Sequence, residues 1–581
     1  MGMMQQRMIL ALIGAAAGVG LYVLSEVLAG DLIGDRMALA LAAFTWSFFF
    51  ALLGMAGPLR VERAAVGALA VGVAVAGLLT LAGLRFDSIE GLANSPLPGT
   101  AVLVLTTLPL PFVIASASGP GWRDYPWLFA QAWGIFVRYS AAWVFVGVVW
   151  GVILLSDALF GVVGLTLIED LLHVDVVPWL VTGTVLGLAL AVVQELEDVV
   201  TPYLVLRLLR LLVPVVLVVL AVFVVALPLR GLSGLFDGLS VAATLLAMTA
   251  AAATLVTSAV DQDDAAADGN EVLRRATQAL ALVLPVPAGL AAMAVWLRVA
   301  QYGWTPDRLF AATAAALGLS YGVVYALAVL RGAGWRARIR QGNIAMALVV
   351  IGVAALWLTP LANPEAISAR SQVARVADGR IPVAALDLYA MDRWGRAGAA
   401  ARLRLTDLAQ QPGFAGLGPA LADPEPGPPM PDGEDPAPLR SALVAILPLQ
   451  PATATATRDQ FLAAADAYDL RSWLDLCNRT LPQGGPACVM VVADLLPAVP
   501  GEEVVLILPD LAGGYVRYEG LSFRGGLLSR HSLWLTDGAT LPQDAAAAAL
   551  VRGLQAEPPA LSPAPLNQIS VPGGGHLSLS P

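Results

Sequence analysis

The sequence contains no lysine; all 33 of its basic residues are arginine. Beside so much alanine, glycine, proline and valine, that absence reads as GC-rich bacterial coding DNA and carries no chemistry. Charge of either sign is scarce: 13% of residues are charged and 58% are hydrophobic. Soluble proteins carry about 25% charged and about 45–50% apolar residues, so the composition predicts a bilayer as solvent for much of the chain. The formal net charge is −10 and no basic face is legible, which excludes nucleic acid as a partner. Histidine occurs only at His173, His531 and His576, and no Walker-type loop, GxSxG, HExxH or CxxC is found. Nothing in the sequence supports nucleophile–base catalysis through His531, and no cofactor site is legible.

What is present is a succession of apolar runs near the roughly 20 residues needed to cross a hydrocarbon core. Eleven qualify: 8–29, 37–57, 64–84, 100–118, 139–161, 176–194, 211–229, 239–260, 278–297, 309–330 and 344–361. None alternates with period two, which argues against a membrane β-barrel. Prolines inside the runs, such as Pro109, Pro111, Pro285 and Pro287, are tolerable where neighbouring helices satisfy the freed carbonyls. The first run, with Arg7 before it and Glu26 near the expected cleavage zone, reads as an uncleaved anchor. Residues 125–133 read as an amphipathic interfacial segment ahead of the fifth span, or alternatively as a re-entrant half-helix.

Arginine placement orients the chain. With a cytoplasmic N-terminus, the inner segments hold thirteen: Arg7, Arg60, Arg63, Arg123, Arg138, Arg207, Arg210, Arg274, Arg275, Arg331, Arg336, Arg338 and Arg340. The outer loops hold five: Arg36, Arg85, Arg230, Arg298 and Arg308. An odd number of crossings then delivers the C-terminal part outside the cytoplasm. The two cysteines, Cys477 and Cys488, lie there, flanking a turn-like Pro-Gln-Gly-Gly-Pro. An oxidising periplasm permits a disulfide between them; two buried free thiols are the alternative.

The expected organisation is therefore an α-helical polytopic membrane bundle over 1–363, followed by a small soluble α+β domain over 364–560. A Pro-rich linker is expected at 412–438 and disorder at 561–581. Amphipathic helices are expected at 399–409 and 458–468, and short strands at 488–493, 504–508, 515–518 and 531–535. The tail carries a net charge of about −7 and the bundle about −3.

One loop, Leu297-Arg-Val-Ala-Gln-Tyr-Gly-Trp-Thr-Pro-Asp-Arg-Leu309, is crowded with residues foreign to a membrane interior. Thr305 suits a helix N-cap, Pro306 the first helical position, and Asp307 the helix dipole. Gly303 gives the turn its freedom, and Tyr302, Trp304, Arg298 and Arg308 suit the headgroup level. Capping and anchoring explain most of this loop; Arg298, Tyr302, Thr305 and Arg308 are also candidate binding residues. This stretch resembles the signature of a bacterial family of multi-pass membrane proteins catalogued only as a domain of unknown function. In that pattern Arg, Tyr-Gly, Thr and a closing Arg correspond to Arg298, Tyr302, Gly303, Thr305 and Arg308, while Trp304 stands where leucine is expected. Residues 367–375, Ile-Ser-Ala-Arg-Ser-Gln-Val-Ala-Arg, are similar to the segment that follows the membrane part in the family. The resemblance implies the architecture and no activity.

Two further polar clusters are candidates. Glu169, Asp170, His173 and Asp175 resemble a metal set without matching an established zinc spacing, so a solvated cap is the plainer reading and no metal site is assigned. Glu195, Glu197 and Asp198 close the sixth span, either as an ion-coupling relay or paired with Arg207 or Arg210. The leading expectation is a membrane protein with an envelope-associated binding, scaffolding or sensing role, its partners the lipid bilayer and a periplasmic protein or other envelope component. The alternatives are a permease with a midplane site at the Pro-broken stretches 108–111 or 284–290, or a transferase holding an anionic lipid-linked substrate on Arg298, Tyr302 and Arg308.

Overall fold

A computed structural model describes residues 3–29, 33–86, 91–92, 95–119, 121–196, 202–230, 239–267, 270–381, 386–411, 414, 417–422, 436–465, 467–481, 484–495, 501–510, 515–524, 527–531, 533, 541–542, 544–557, 561, 569–570 and 576–577. The chain divides into two compact units, Met1–Gly427 and Pro428–Pro581.

The first unit is helical: α1 (Met3–Ala29), α2 (Asp35–Met55), α3 (Val61–Gly83), α4 (Pro96–Thr107), α5 (Leu110–Ser118), α6 (Tyr125–Val162), α7 (Leu167–Leu172), α8 (Val176–Glu195), α9 (Pro202–Arg230), α10 (Leu239–Val260), α11 (Glu271–Val283), α12 (Pro285–Tyr302), α13 (Pro306–Leu330), α14 (Trp335–Leu358), α15 (Pro364–Ala377), α16 (Leu388–Asp392), α17 (Gly395–Ala409) and α18 (Leu417–Ala422). Among the described residues eleven stretches are long and apolar enough to cross a membrane. Helices α4 and α5 form one across Pro109, and α11 and α12 another across Leu284 and Pro285. Proline interrupts both because its ring removes a donor and crowds the preceding turn. The chain is a multi-pass membrane protein.

Residues 125–133 are not a separate half-helix; they open the continuous 38-residue α6. Asp124 caps its start by accepting from the Trp127 amide at 2.9 Å, and nothing between Pro126 and Val162 breaks the helix before Gly164 turns at φ 75°. Helices α1 and α8 approach backbone to backbone. A Cβ on Gly14 would fall onto the Gly183 carbonyl, one on Gly18 onto that of Trp179, and one on Gly187 onto that of Leu10. Small residues four apart permit that closeness, and in lipid such packing is what holds helices together.

Two large apolar clusters hold most of the unit's spans together. One draws on α2, α3, α4 and α5 with Tyr139 of α6 and Leu190 of α8. The other joins α9, α10, α11, α13 and the start of α14 through Leu220, Val256, Leu280, Tyr325 and Ile339. The compact unit also runs past residue 363, where the bundle was expected to end. Helices α15 to α18 pack as a further cluster around Met391, Leu405 and Leu417, within Met1–Gly427.

The second unit comprises α19 (Pro436–Ile446), β1 (Leu449–Gln450), α20 (Thr455–Ala464), α21 (Ala467–Cys477), β2 (Val489–Ala493), β3 (Glu503–Asp510), β4 (Tyr515–Arg524), β5 (Leu527–His531), α22 (Asp544–Ala556), β6 (Ile569–Ser570) and β7 (His576–Leu577). The sheet order is β1-β2-β3-β4-β5, with β1 parallel to β2 and the other pairs antiparallel. Strands β2 and β3 are buried on both faces. Met490, Val492, Val504, Leu506 and Leu508 meet Phe461, Leu470 and Trp473 on one side, while Val489, Val491 and Ile507 meet Ala548 and Val551 on the other.

The details depart from expectation at four places. The helix expected over 458–468 is two, because α20 ends at Ala464 and α21 begins at Ala467. The last strand is Leu527–His531, fixed by pairing with the extended β4, and not 531–535. Within the expected linker 412–438, Leu417–Ala422 is helical and Pro436 opens α19, as proline suits a first helical position; 423–435 lie outside the described residues. The end expected to be disordered carries a two-residue antiparallel pairing of β6 with β7.

Candidate functional site

The crowded loop of residues 297–309 is built on a helix end. Helix α12 stops at Tyr302 because Gly303 adopts φ 79° and ψ −179°, a conformation essentially confined to glycine. Stopping leaves the last carbonyls of α12 without partners, and a helix C-terminus concentrates partial negative charge. Helix α15 supplies the donors. Gln372 donates from Nε2 to the carbonyls of Tyr302 and Trp304, both at 3.0 Å. Arg375 donates to the Gln301 carbonyl, and the Ser371 hydroxyl accepts from the Trp304 amide at 3.2 Å. Arg308, 6% exposed, turns back to donate from Nη1 to the Gly303 carbonyl at 2.9 Å. Four consecutive carbonyls, 301 to 304, are thereby satisfied.

Each candidate binding residue has a place in this clasp. Thr305 caps α13 by accepting from the Arg308 amide at 3.3 Å. Tyr302 lies between two guanidinium groups, with Arg298 at 5.8 Å and Arg308 at 5.4 Å from its ring centroid. A side chain at Gly303 would press on α15 itself, 2.7 Å from Arg375 Cδ and 2.9 Å from Gln372 Nε2. The structure brings together the two stretches that the sequence comparison singled out, 298–308 and 367–375. Their meeting is a docking contact between a hairpin and the helix that follows the last span.

The other end of α15 is anchored as well. Asn363 caps it, accepting from the Ala366 amide at 2.9 Å. Glu365, 1% exposed, faces Arg85 Nη1 at 3.4 Å and Ser95 Oγ at 3.5 Å. Arg85 also donates from Nη2 to the carbonyls of Trp357 at 2.8 Å and Thr359 at 2.6 Å, closing the end of α14. Burial raises the Glu365 carboxyl above its ordinary range and lowers the Arg85 guanidinium, in each case against the pull of the partner. Sequence reasoning missed Glu365 and Gln372. A first-turn glutamate after Asn-Pro resembles a dipole residue, and nothing local marks it as buried.

The same device recurs at the opposite end of the bundle. Arg210 donates to the Ser258 carbonyl at 3.1 Å and pairs with Asp261, a non-glycine residue at φ 55°. Arg340 donates to the carbonyls of Val260 and Asp261 at 2.7 and 3.1 Å. Arg338 closes α13 through the carbonyls of Ala328 at 2.9 Å and Ala333. A buried chain missed from the sequence runs nearby. Asn343 Nδ2 donates to Tyr125 Oη at 3.0 Å, Tyr325 Oη donates to Asn343 Oδ1 at 2.5 Å, and Thr257 lies 2.7 Å from Tyr325 Oη. A lone asparagine in an apolar run was the available signal.

Glu195 pairs with Arg7 of α1 rather than with Arg207 or Arg210, since Arg210 is engaged by Asp261. Glu197 and Asp198 lie outside the described residues. Around Pro285 the packing is close: a Cβ on Gly322 would sit 3.0 Å from the Pro285 Cα. His173 Nδ1 lies 2.7 Å from the Glu169 carbonyl, and among the described residues no group of three or more His, Cys, Asp or Glu comes together.

In the C-terminal unit Cys477 and Cys488 are disulfide-bonded, with Cα atoms 5.0 Å apart. Asp469 and Glu519, both buried, gather Arg517 and Arg530 between α21 and the sheet, and Trp473 Nε1 donates to Glu519 at 3.4 Å. His531 Nε2 lies 2.7 Å from Ser522 Oγ. Ser522 is 1% exposed.

No curated protein and no solved structure matches the chain. A family described as a domain of unknown function, DUF4153, matches residues 36–405, which takes in ten of the eleven spans, the loop 298–308 and α15. Over most of its length, this chain belongs to the DUF4153 family.

Proposed function

We propose that the protein is a bacterial inner-membrane protein with a cytoplasmic N-terminus, whose C-terminal unit lies across the bilayer and serves envelope-associated binding, scaffolding or sensing. The observation that carries this reading is an odd number of spans followed by a sheet unit joined through Cys477 and Cys488. Thirteen arginines against five orient the bundle the same way, and a disulfide belongs in an oxidising compartment. The rival readings have less support. Close packing of Gly322 against Pro285 speaks against a permease site there, and the burial of Arg308, bonded to the Gly303 carbonyl, speaks against a transferase.

The test is topological and then functional. Intact cells carrying alkaline phosphatase fused after Pro581 should show activity, and a thiol-reactive polymer should shift the protein on a gel only after reduction. A chain lacking 428–581 should still insert in the membrane and lose the envelope phenotype of the intact protein. A reporter active only in the cytosol, with both cysteines reduced in the cell, would overturn the assignment.

A further inference from the structure

Helices α3, α5 and α14 leave a groove of about 920 Å³ between them, open to the side of the bundle. Its walls are apolar, formed chiefly by Val66, Phe112, Val113, Leu348 and Ile351. Gly67 allows α5 to lie close along the base, since a Cβ there would come within 2.8 Å of Val113 Cγ1. The break at Pro109 separates α5 from α4, and α5 then runs to Ser118, a rise of about 13 Å at 1.5 Å per residue. That depth is near half of a hydrocarbon core of roughly 30 Å, the thickness of one leaflet.

The mouth is polar and lies where α3 begins and α5 ends. Glu62, Arg63 and Trp122 line it, and the Arg123 guanidinium stacks 4.6 Å from the Trp122 ring centroid. Arg63 reaches over the opening to the Ala117 carbonyl at 3.3 Å. Both arginines are exposed, and among the described residues neither is ion-paired. A tryptophan and two arginines at the mouth match the headgroup level of a bilayer.

We propose that this groove is a specific site for an anionic phospholipid, one acyl chain lying along α5 and the phosphate held by Arg63 and Arg123. The volume falls within the roughly 300–1,000 Å³ of ligand sites. Guanidinium groups bind phosphate through paired, charge-assisted hydrogen bonds, which a zwitterionic headgroup answers less well because its own cation competes. The lateral opening lets the lipid enter from its leaflet without leaving the membrane. This assignment stands whichever side of the bilayer the N-terminus occupies.

Photocrosslinking tests it. The full chain, reconstituted in nanodiscs, is irradiated with diazirine-bearing phosphatidylglycerol or phosphatidylcholine and the adducts are mapped by mass spectrometry. Adducts of the phosphatidylglycerol probe should concentrate on residues 62–67 and 109–117, at least fivefold above those of the phosphatidylcholine probe. Val66→Trp, a filling substitution at a residue 70% exposed, should remove them, with Leu348→Trp as a second variant should the first insert poorly. Val152→Trp on the exposed face of α6 should leave them unchanged. Arg63→Gln combined with Arg123→Gln should abolish the preference between the two lipids. Even labelling of all lipid-facing helices, equal capture of both probes, or adducts that persist in both filled variants would overturn the site.

Discussion

The two units weight the uses of arginine differently. In the membrane unit Arg85, Arg308, Arg338, Arg340 and Arg375 donate to main-chain carbonyls at the ends of helices. In the C-terminal unit Arg517 and Arg530 meet the carboxylates of Asp469 and Glu519, and Arg440 reaches a helix-end carbonyl, that of Leu462 at 3.0 Å. The difference follows from the solvent. A helix end in water has its last carbonyls hydrated, whereas one set at the edge of a bilayer bundle has few waters to call on, and each unsatisfied group costs several kcal/mol. Arginine carries five donors in a flat fork and stays charged, so one side chain can serve several carbonyls and also oppose the dipole. A buried carboxylate partner is added at Asp261 and Glu365, while shallower pairs such as Arg7 with Glu195 and Arg274 with Glu271 lie nearer the surface.

If this contrast holds, the largest loss should come from Arg85→Ala, which strands a buried Glu365 and two carbonyls. Breaking a buried pair costs about 3–5 kcal/mol, so the melting temperature in detergent at neutral pH should fall sharply. The double variant Arg85→Ala with Glu365→Gln should recover part of it; no recovery would mean that Glu365 does not depend on Arg85. The same site should respond to pH. Burial raises Glu365, so the folded chain holds this proton more tightly than the unfolded one. Its stabilising contribution is complete below the ordinary carboxylate value of 4.5 and declines as pH rises through the elevated value. Melting temperatures measured across that window should decline less in Glu365→Gln than in the parent chain.

Gly303→Ala comes next. The backbone conformation alone costs about 1–3 kcal/mol in a residue with a side chain, and the new methyl group must also push Arg375 or Gln372 aside. Limited proteolysis between residues 359 and 380 should accelerate as α15 loosens; unchanged cleavage would show that the hairpin does not hold the helix. The smallest effect belongs to the other unit. Arg530 is 49% exposed on its side chain, and exposed pairs contribute under about 1 kcal/mol. Arg530→Ala should leave denaturant midpoints within that margin, and a loss comparable to that of Arg85→Ala would erase the distinction.

Much of this was visible in the amino-acid order, and the reasons for the rest are physical. The spans are legible because lipid demands long apolar runs, and the cap at Thr305 because capping is local. What escaped needs a partner distant in sequence. Glu365 looks like any first-turn acid until Arg85, 280 positions earlier, is set against it. Gln372 is an ordinary helical residue until the carbonyls of Tyr302 and Trp304 arrive. The groove beside α5 is read from no single helix, since its walls come from stretches nearly three hundred residues apart. The tail misled differently: Pro436 was read as linker when it starts a helix, and β5 was displaced because strand limits are set by pairing with β4.

The glycine contact between α1 and α8 bears on how the chain is made. Gly14 and Gly183 stand about 170 residues apart, yet each leaves space only for the other's backbone. At roughly 5–20 residues per second, the first helix waits on the order of 10–30 s for its mate, with five further crossings still to be threaded after it. During biogenesis its bare glycine stripe must face lipid or the insertion machinery, so assembly of this bundle cannot proceed strictly in order of emergence.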